Sequence, residues 1–273
     1  MADKNATPNR IIEGQKTLLN RTVHAIAYDE IHDEIVVNQN IGQAILTYRG
    51  GANGEEAPIR MIQGSKTQLR DPQTIFVDPV HDEIFVMNMS IDDAVLVFDR
   101  RAQGDAAPKR VLKGPDTRLG ATVGAVDPVN NLLITSGRSG GVLIFDRTAD
   151  GNTKPKAVIG GPKSGLRAAG RIIVYPPTRK IVMTSGNGRG EDSDQSGSFV
   201  GVWSEDDNGD APPQWTVAKG WLRQTRGLTL NPKNKTVVVS DKMLNAVMTF
   251  SIPEMFDERS DRRRPASARV DPR

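Results

Sequence analysis

Residues Pro58-Ile59-Arg60-Met61-Ile62-Gln63-Gly64 form a short apolar segment that ends in glycine, and related segments recur along the chain. The other copies begin at Pro8, Pro108, Pro155 and, in a looser form, Pro213. The first four copies start 50, 50 and 47 residues apart. Periods of roughly 40 to 50 residues are typical of the four-stranded blades of β-propellers. The spacing therefore predicts a repeat protein built from blades.

Between successive copies lie three short runs rich in β-branched residues. In the second repeat these runs are Ile75-Phe76-Val77, Ile84-Phe85-Val86 and Ala94-Val95-Leu96-Val97-Phe98. Turn residues separate them, such as Asp78-Pro79 after the first run and the Ala102-Gln103-Gly104 segment after the third. No apolar periodicity of helical length is present. The pattern predicts an all-β chain, with strands a, b and c followed by the proline-containing strand d in each repeat.

The order of these strands predicts the number of blades. There are five a-b-c sets and five d strands, but the first d strand, residues 10–13, precedes every a strand. If residues 10–13 pair with the last set, which ends near Ile252, they complete a ring of five four-stranded blades with a one-plus-three closure. A sixth blade missing upstream would leave the same remainder, so six blades stay open as the alternative. We expect residues 8–256 to form a single propeller domain after a flexible segment, residues 1–7.

Composition excludes several classes of function. The chain has 273 residues, a formal net charge of +3 and no cysteine, which excludes disulfides, thiolate metal sites and a cysteine nucleophile. No run approaches the roughly 18 apolar residues of a membrane span, so a soluble protein is expected. The few aromatic residues do not alternate with basic ones as a nucleic-acid stacking surface requires. Residues 257–273, with Arg262-Arg263-Arg264, are too polar to bury a core and predict a disordered basic tail.

The repeat unit, APIRMIQGSKTQL followed by TIFVDPVHDEIFVMN and AVLVFDRRAQGDAAP, resembles the NHL-type and YVTN-type repeats of bacterial β-propellers. The resemblance covers residues 8 to about 253 and is specific for architecture. It implies a periplasmic or secreted protein in its mature form, although a cytoplasmic location is equally compatible with the residues alone. Propellers of this kind include scaffolds, binding proteins, lactonases and lyases, so fold does not decide function.

The default ligand site of a propeller is the mouth of its channel where the d-to-a and b-to-c connections gather. Counting back five positions from the residues that follow strand a predicts one polar side chain per blade near the axis: His24, Gln73, Thr122, Arg171 and Arg226. Arg70 and Arg138 lie in neighbouring loops. Because the arginine fork matches carboxylate and phosphate groups, these residues predict a site for an anionic small molecule or an acidic protein surface. A merely solvated face of arginines remains the alternative.

Catalytic residues are scarce in the same region. His32 and His81 occupy equivalent a-to-b turns at the opposite mouth, which leaves His24 as the one histidine near the predicted site. Similar propeller lactonases hold a divalent cation with Glu, Asn and Asp, a set that the following residues could imitate in part without the glutamate: Asn38, Asn88, Asn187 and Asp241. An insertion in the fourth repeat offers a second set of hard oxygen ligands: Glu191, Asp192 and Asp194.

We therefore predict a non-enzymatic ligand-binding or protein-interaction propeller without a cofactor. Its predicted contacts are Arg171, Arg226, Arg70 and Arg138, together with Gln73 and His24. The alternative is a metal-dependent, lactonase-like hydrolase or lyase that uses His24 and a divalent cation at the same mouth.

Overall fold

A computed structural model describes residues 7–89, 93–186, 198–217 and 219–257 of the chain. The described residues form β-strands joined by turns and short 3-10 turns, and no helix among them is long and apolar enough to cross a membrane. The strands in chain order are β1 (Val23–Asp29), β2 (Glu34–Gln39), β3 (Ala44–Arg49), β4 (Arg60–Gln63), β5 (Pro72–Asp78), β6 (Glu83–Asn88), β7 (Ala94–Asp99), β8 (Arg110–Lys113), β9 (Leu119–Asp127), β10 (Leu132–Gly137), β11 (Val142–Asp146), β12 (Ala157–Ile159), β13 (Ala168–Tyr175), β14 (Lys180–Gly186), β15 (Phe199–Ser204), β16 (Trp215–Val217), β17 (Thr225–Asn231), β18 (Thr236–Asp241) and β19 (Ala246–Ser251). The 3-10 turns are Gln15–Thr17, Ser65–Thr67, Pro115–Thr117, Pro176–Thr178 and Pro253–Phe256.

The strands pair in chain order into five antiparallel sheets, β1–β4, β5–β8, β9–β12, β13–β16 and β17–β19. This arrangement confirms the predicted all-β class and the five-bladed β-propeller. Within the described residues, four of the sheets have four strands, whereas the sheet of β17–β19 has three. Each repeat read from the sequence therefore corresponds to one sheet.

The N-terminal segment of residues 10–13 contacts the loop that follows β3. Ile12 and Gly54 form a parallel bridge, in which Glu13 N donates to the Gly54 carbonyl at 3.1 Å and Gly54 N donates to the Ile11 carbonyl at 2.6 Å. Three of the other four copies form the same bridge to the corresponding glycine of the next c-to-d loop: Ile62 to Gly104, Leu112 to Gly151 and Ile159 to Gly209. The glycine-containing turns therefore tie the first four d strands to the repeat that follows each of them. The one-plus-three closure with the last blade stays a prediction.

The chain divides into two compact units, Met1–Lys156 and Ala157–Arg273. The single domain predicted over residues 8–256 therefore stays a prediction. The segments predicted to be flexible or disordered, 1–7 and 257–273, lie outside the described residues except for Thr7 and Asp257.

Each unit has its own apolar core. In the first unit, Val36, Ile84 and Phe98 are among the buried residues of a cluster that spans the first two sheets. The core of the second unit combines residues of β14, β15 and β18 with Met255 and Phe256 of the 3-10 turn Pro253–Phe256. Phe256 packs edge-on against Tyr175, with ring centroids 4.9 Å apart. This packing explains why the chain beyond the last strand returns to the fourth sheet.

Candidate functional site

A bulge near the start of the first strand of four blades positions the residues that the sequence aligned. The bulged residue, which lacks a partner in the strand register, is His24 in β1, Gln73 in β5 and Arg226 in β17, three of the positions that the alignment made equivalent. In β13 the bulged residue is Gly170, and Arg171 pairs one position further along. Arg171 is therefore offset by one residue from the bulged position of the other strands, because Pro176 already belongs to a 3-10 turn and Tyr175 is the last residue of the strand.

Arg171 and Arg226 nevertheless lie side by side in the second unit. Arg171 Nε donates to the carbonyl oxygen of Arg226 at 3.1 Å, and Arg171 N donates to Thr184 Oγ1 at 2.9 Å. Arg171 is half-buried, whereas Arg226 is exposed. Burial, and after it the positive charge of Arg226, lower the pKa of the Arg171 guanidinium from its ordinary value. Neither arginine forms an ion pair with a carboxylate of the described chain. The pair is thus a local concentration of positive charge.

The carboxylate of Asp241 organises the loops beside this pair. Asp241 Oδ2 accepts hydrogen bonds from Arg223 N at 2.7 Å and Gln224 N at 2.9 Å. Asp241 Oδ1 accepts from Met243 N at 3.0 Å and Leu244 N at 3.1 Å. Four backbone donors satisfy a side chain that is 2% exposed. A cation at Asp241, as the lactonase-like alternative requires, would have to compete with these four donors.

In the first unit, His24 and Gln73 belong to one chain of hydrogen bonds. His24 Nδ1 and Gln73 Oε1 are 3.0 Å apart, and Gln73 Nε2 donates to Asp71 Oδ1 at 2.6 Å. Asn40 Nδ2 donates to the same Asp71 oxygen. Asp71 is not among the site residues predicted from the sequence. Its negative charge next to Gln73 was not visible in the repeat pattern, because the equivalent loop positions carry other residue types.

Asn38 and Asn88 support the local backbone. Asn38 is buried; its Oδ1 accepts from Ala25 N at 2.9 Å and its Nδ2 donates to the Pro72 carbonyl at 2.5 Å. Asn88 Oδ1 accepts from Arg70 N at 2.6 Å. Both amides are therefore engaged, and their role as metal ligands stays a prediction. The other predicted ligands, Asn187, Glu191, Asp192 and Asp194, lie outside the described residues. Within the described part, no group of three His, Asp or Glu side chains is arranged to hold a metal ion.

Arg70 and Arg138 have different surroundings in the first unit. Arg70 lines a cavity of about 470 Å³ together with polar and cationic residues, and no carboxylate is among its lining residues. The other polar and cationic residues of the lining are Gln43, Ser65, Gln68, Asn88 and Lys113. Arg138 is exposed and pairs with Asp93, with Nη2 and Oδ2 3.2 Å apart. The structure therefore brings Arg171 and Arg226 together, while Arg138 already has an anionic partner.

Glu34 and Glu83, the first residues of β2 and β6, form buried ion pairs that the repeat pattern did not predict. Glu83 accepts hydrogen bonds from Arg110 Nη1 at 2.8 Å, Arg110 Nη2 at 2.7 Å and Arg147 Nη1 at 2.5 Å, and Lys109 Nζ lies 3.0 Å away. Burial by itself would raise the pKa of Glu83, but hydrogen bonds with Arg110 and Lys109 lower it to about 2. Glu34 has the same kind of partners in Arg60 and Arg100.

His32 and His81 lie on the a-to-b turns, as expected from the sequence. His81 Nδ1 is 2.8 Å from Asp78 Oδ2, and Asp78 also accepts from the backbone of residues 80 and 81. Asp29 holds His32 in the same way. Each histidine is thus part of a turn that the repeat carries twice.

Comparisons with known proteins agree with the fold and extend no further. No protein-family model matches the chain, and no curated protein matches it. Among solved structures it is similar to Kuenenia stuttgartiensis hydrazine synthase, with a TM-score of 0.57 and 11% identity over 80% of this chain and 55% of that one. It is also similar to a chain of the mitotic checkpoint complex, with a TM-score of 0.60 and 14% identity over 84% of this chain and 63% of that one. The chain thus spans less than two thirds of either neighbour, and the two likenesses support a propeller-like fold alone.

Proposed function

We propose that this protein is a non-enzymatic binding or interaction propeller whose Arg171–Arg226 pair takes up a carboxylate or phosphate group. The ligand would be an anionic small molecule or an acidic segment of a partner. The observation that carries the proposal is the hydrogen bond from the half-buried Arg171 side chain to the backbone carbonyl of Arg226, with neither arginine ion-paired to a carboxylate of the described residues. An anion placed between them would offset both their mutual repulsion and the burial of Arg171.

The orientation of Arg171 suits this role. Its Nε is occupied by the carbonyl oxygen of Arg226, which holds the plane of the guanidinium in place. Its Nη1 and Nη2 atoms make no hydrogen bond to any described residue. They form the edge that binds a carboxylate or phosphate through two parallel hydrogen bonds. A side chain that is already ordered loses little rotamer entropy when the anion binds.

The proposal is tested by thermal shift and calorimetry with inorganic phosphate, pyrophosphate and citrate. A ligand at about 100 times its Kd adds about 2.7 kcal/mol of stability, which for a chain of this size is a rise in Tm of about 5 to 10 °C. Arg171→Gln and Arg226→Gln should each remove most of this rise, and Arg171→Lys should keep only part because lysine lacks the planar fork.

Arg138→Gln is the matched control, because Arg138 is exposed and already paired with Asp93. The arginine pair is excluded as the anion site if the folded Arg171→Gln and Arg226→Gln variants bind all three anions as the unaltered protein does. The proposal also fails if none of the three anions shifts the Tm and no acidic peptide binds.

A further inference from the structure

Two loops beside the arginine pair expose three large apolar side chains. Trp221 is 74% exposed, Met243 53% and Leu244 43%. Isolated exposed apolar residues are ordinary, but a tryptophan grouped with other large side chains is typical of a contact surface. We call these three residues the Trp221 platform.

Hydrogen bonds to Asp241 order the two loops that carry the platform. The carboxylate of Asp241 binds backbone amides in both loops, at Arg223 and Gln224 on one side and at Met243 and Leu244 on the other. The amide of Lys242 also donates to the Gln224 carbonyl at 2.8 Å. Leu222, the neighbour of Trp221, is fully buried in the core of the second unit. An ordered surface of this kind loses little conformational entropy when a partner binds.

Three exposed basic residues neighbour the platform residues in the chain. Lys219, Arg223 and Lys242 are exposed, and none of them forms an ion pair with a carboxylate of the described chain. Arg226, three residues after Arg223, continues this charge towards Arg171. Asp241 is the carboxylate that both loops contact, and its two oxygens are engaged by backbone amides. The surface is therefore an apolar centre with a basic rim.

We infer that the Trp221 platform and its basic rim form a docking surface for an acidic protein segment that carries a large apolar side chain. The inference rests on the proposed function, since the acidic groups of that segment would reach Arg226 and Arg171. Tryptophan and arginine dominate the binding energy of protein interfaces, and complementary charge selects the partner. A single tryptophan is a poor platform for a nucleic-acid strand, which is bound by aromatic residues stacked on successive bases.

The charge around Trp221 is measured first, by fluorescence quenching. The chain has three tryptophans, of which Trp203 is fully buried and Trp215 half-buried, so quenchers in solution report mainly on Trp221. With the quenching of free N-acetyltryptophanamide by each ion as the reference, iodide, an anion, should quench at least twice as strongly as caesium, a cation, at equal ionic strength. Trp221→Phe should remove most of the iodide effect, and Arg223→Gln with Lys242→Gln should reduce it. Equal quenching by the two ions relative to that reference overturns the basic rim.

Binding is then tested with a phage-displayed library of random 12-residue peptides selected on the full-length protein. The selected peptides should combine Asp or Glu with Leu, Phe or Trp, and fluorescence anisotropy of labelled copies gives their affinities. Trp221→Ser and Met243→Ser should each weaken binding at least tenfold. Val129→Ser is the control, because Val129 is equally exposed on a turn of the first unit.

The outcomes separate the two proposals. If Trp221→Ser binds the peptides normally while Arg171→Gln and Arg226→Gln weaken them, the docking surface is overturned and the arginine site stands. If the arginine variants bind both peptides and small anions normally, the arginine site is overturned. Selected peptides without acidic residues, or tighter binding of a 20-nucleotide single strand than of any peptide, also overturn the docking surface.

Discussion

Replacing Glu83 by glutamine should destabilise the protein by about 3 kcal/mol at neutral pH. Glu83 is 3% exposed and contacts Arg110, Arg147 and Lys109. Its pKa is lowered from the ordinary 4.5 to about 2, and each unit of this difference corresponds to about 1.4 kcal/mol. Glutamine has nearly the same shape but carries no charge, so it leaves the cations around it uncompensated, a change of a type that costs about 3 to 5 kcal/mol.

The stability that the Glu83 carboxylate contributes depends on pH, and the direction of the pKa shift decides in which sense. Because the folded protein lowers the pKa of Glu83, the carboxylate stabilises the fold fully above about pH 4.5, and that contribution is lost as the pH falls towards 2. The difference in Tm between the original protein and Glu83→Gln should be about 6 to 12 °C at pH 7 and should shrink between pH 4.5 and 2. Calorimetry or circular dichroism over a pH series measures it.

Asp146→Asn is the control for the Glu83 prediction, because Asp146 forms an exposed pair with Lys156. Exposed pairs contribute between about 0 and 1 kcal/mol, so the control should change the Tm by less than about 4 °C. Equal shifts in the two variants would refute the assignment of Glu83 as a buried structural charge. A Glu83→Gln deficit that stays constant down to pH 2 would refute the role of its ionisation.

Three further predictions concern the loops, the metal question and the N-terminus. Asp241→Asn should destabilise the second unit by about 2 kcal/mol and alter the emission of Trp221. The two carboxylate oxygens accept from four backbone donors, whereas an amide has only one accepting oxygen. Unchanged Tm and emission would contradict this role. EDTA-treated protein should show no Tm rise with Ca²⁺, Mg²⁺, Mn²⁺ or Zn²⁺, and a clear rise with one metal would support the lactonase-like alternative. Removing residues 1–14 should lower the Tm, since Ile12 packs against the buried cluster that contains Tyr48, and an unchanged Tm would exclude both this packing and the predicted closure.

Much of the fold could be predicted because its signals are local. β-branched runs and glycine or proline turns act over a few residues, and the recurrence of Pro8, Pro58 and Pro108 repeats the same local choice. The number of blades followed from counting. The register of β13 could not be read in the same way, because Pro176 looks like a turn residue of the repeat yet begins a 3-10 turn after Tyr175.

The candidate site could be predicted only in part from the sequence, for a related reason. The sequence showed that arginine is frequent in the connections, and it named Arg171 and Arg226. It could not show that these two touch, because 55 residues separate them. Nor could it show that Arg138 is paired with Asp93, 45 residues away.

The sequence by itself thus determined the all-β blade, its five repeats and the types of residue available in each connection, because strand periodicity and turn chemistry depend on near neighbours. Only the tertiary structure decided which charges are buried and paired, such as Glu83 with Arg147, and which apolar side chains remain exposed, such as Trp221. The physical reason is that burial and ion pairing depend on groups that are distant in the chain and become neighbours when the sheets pack.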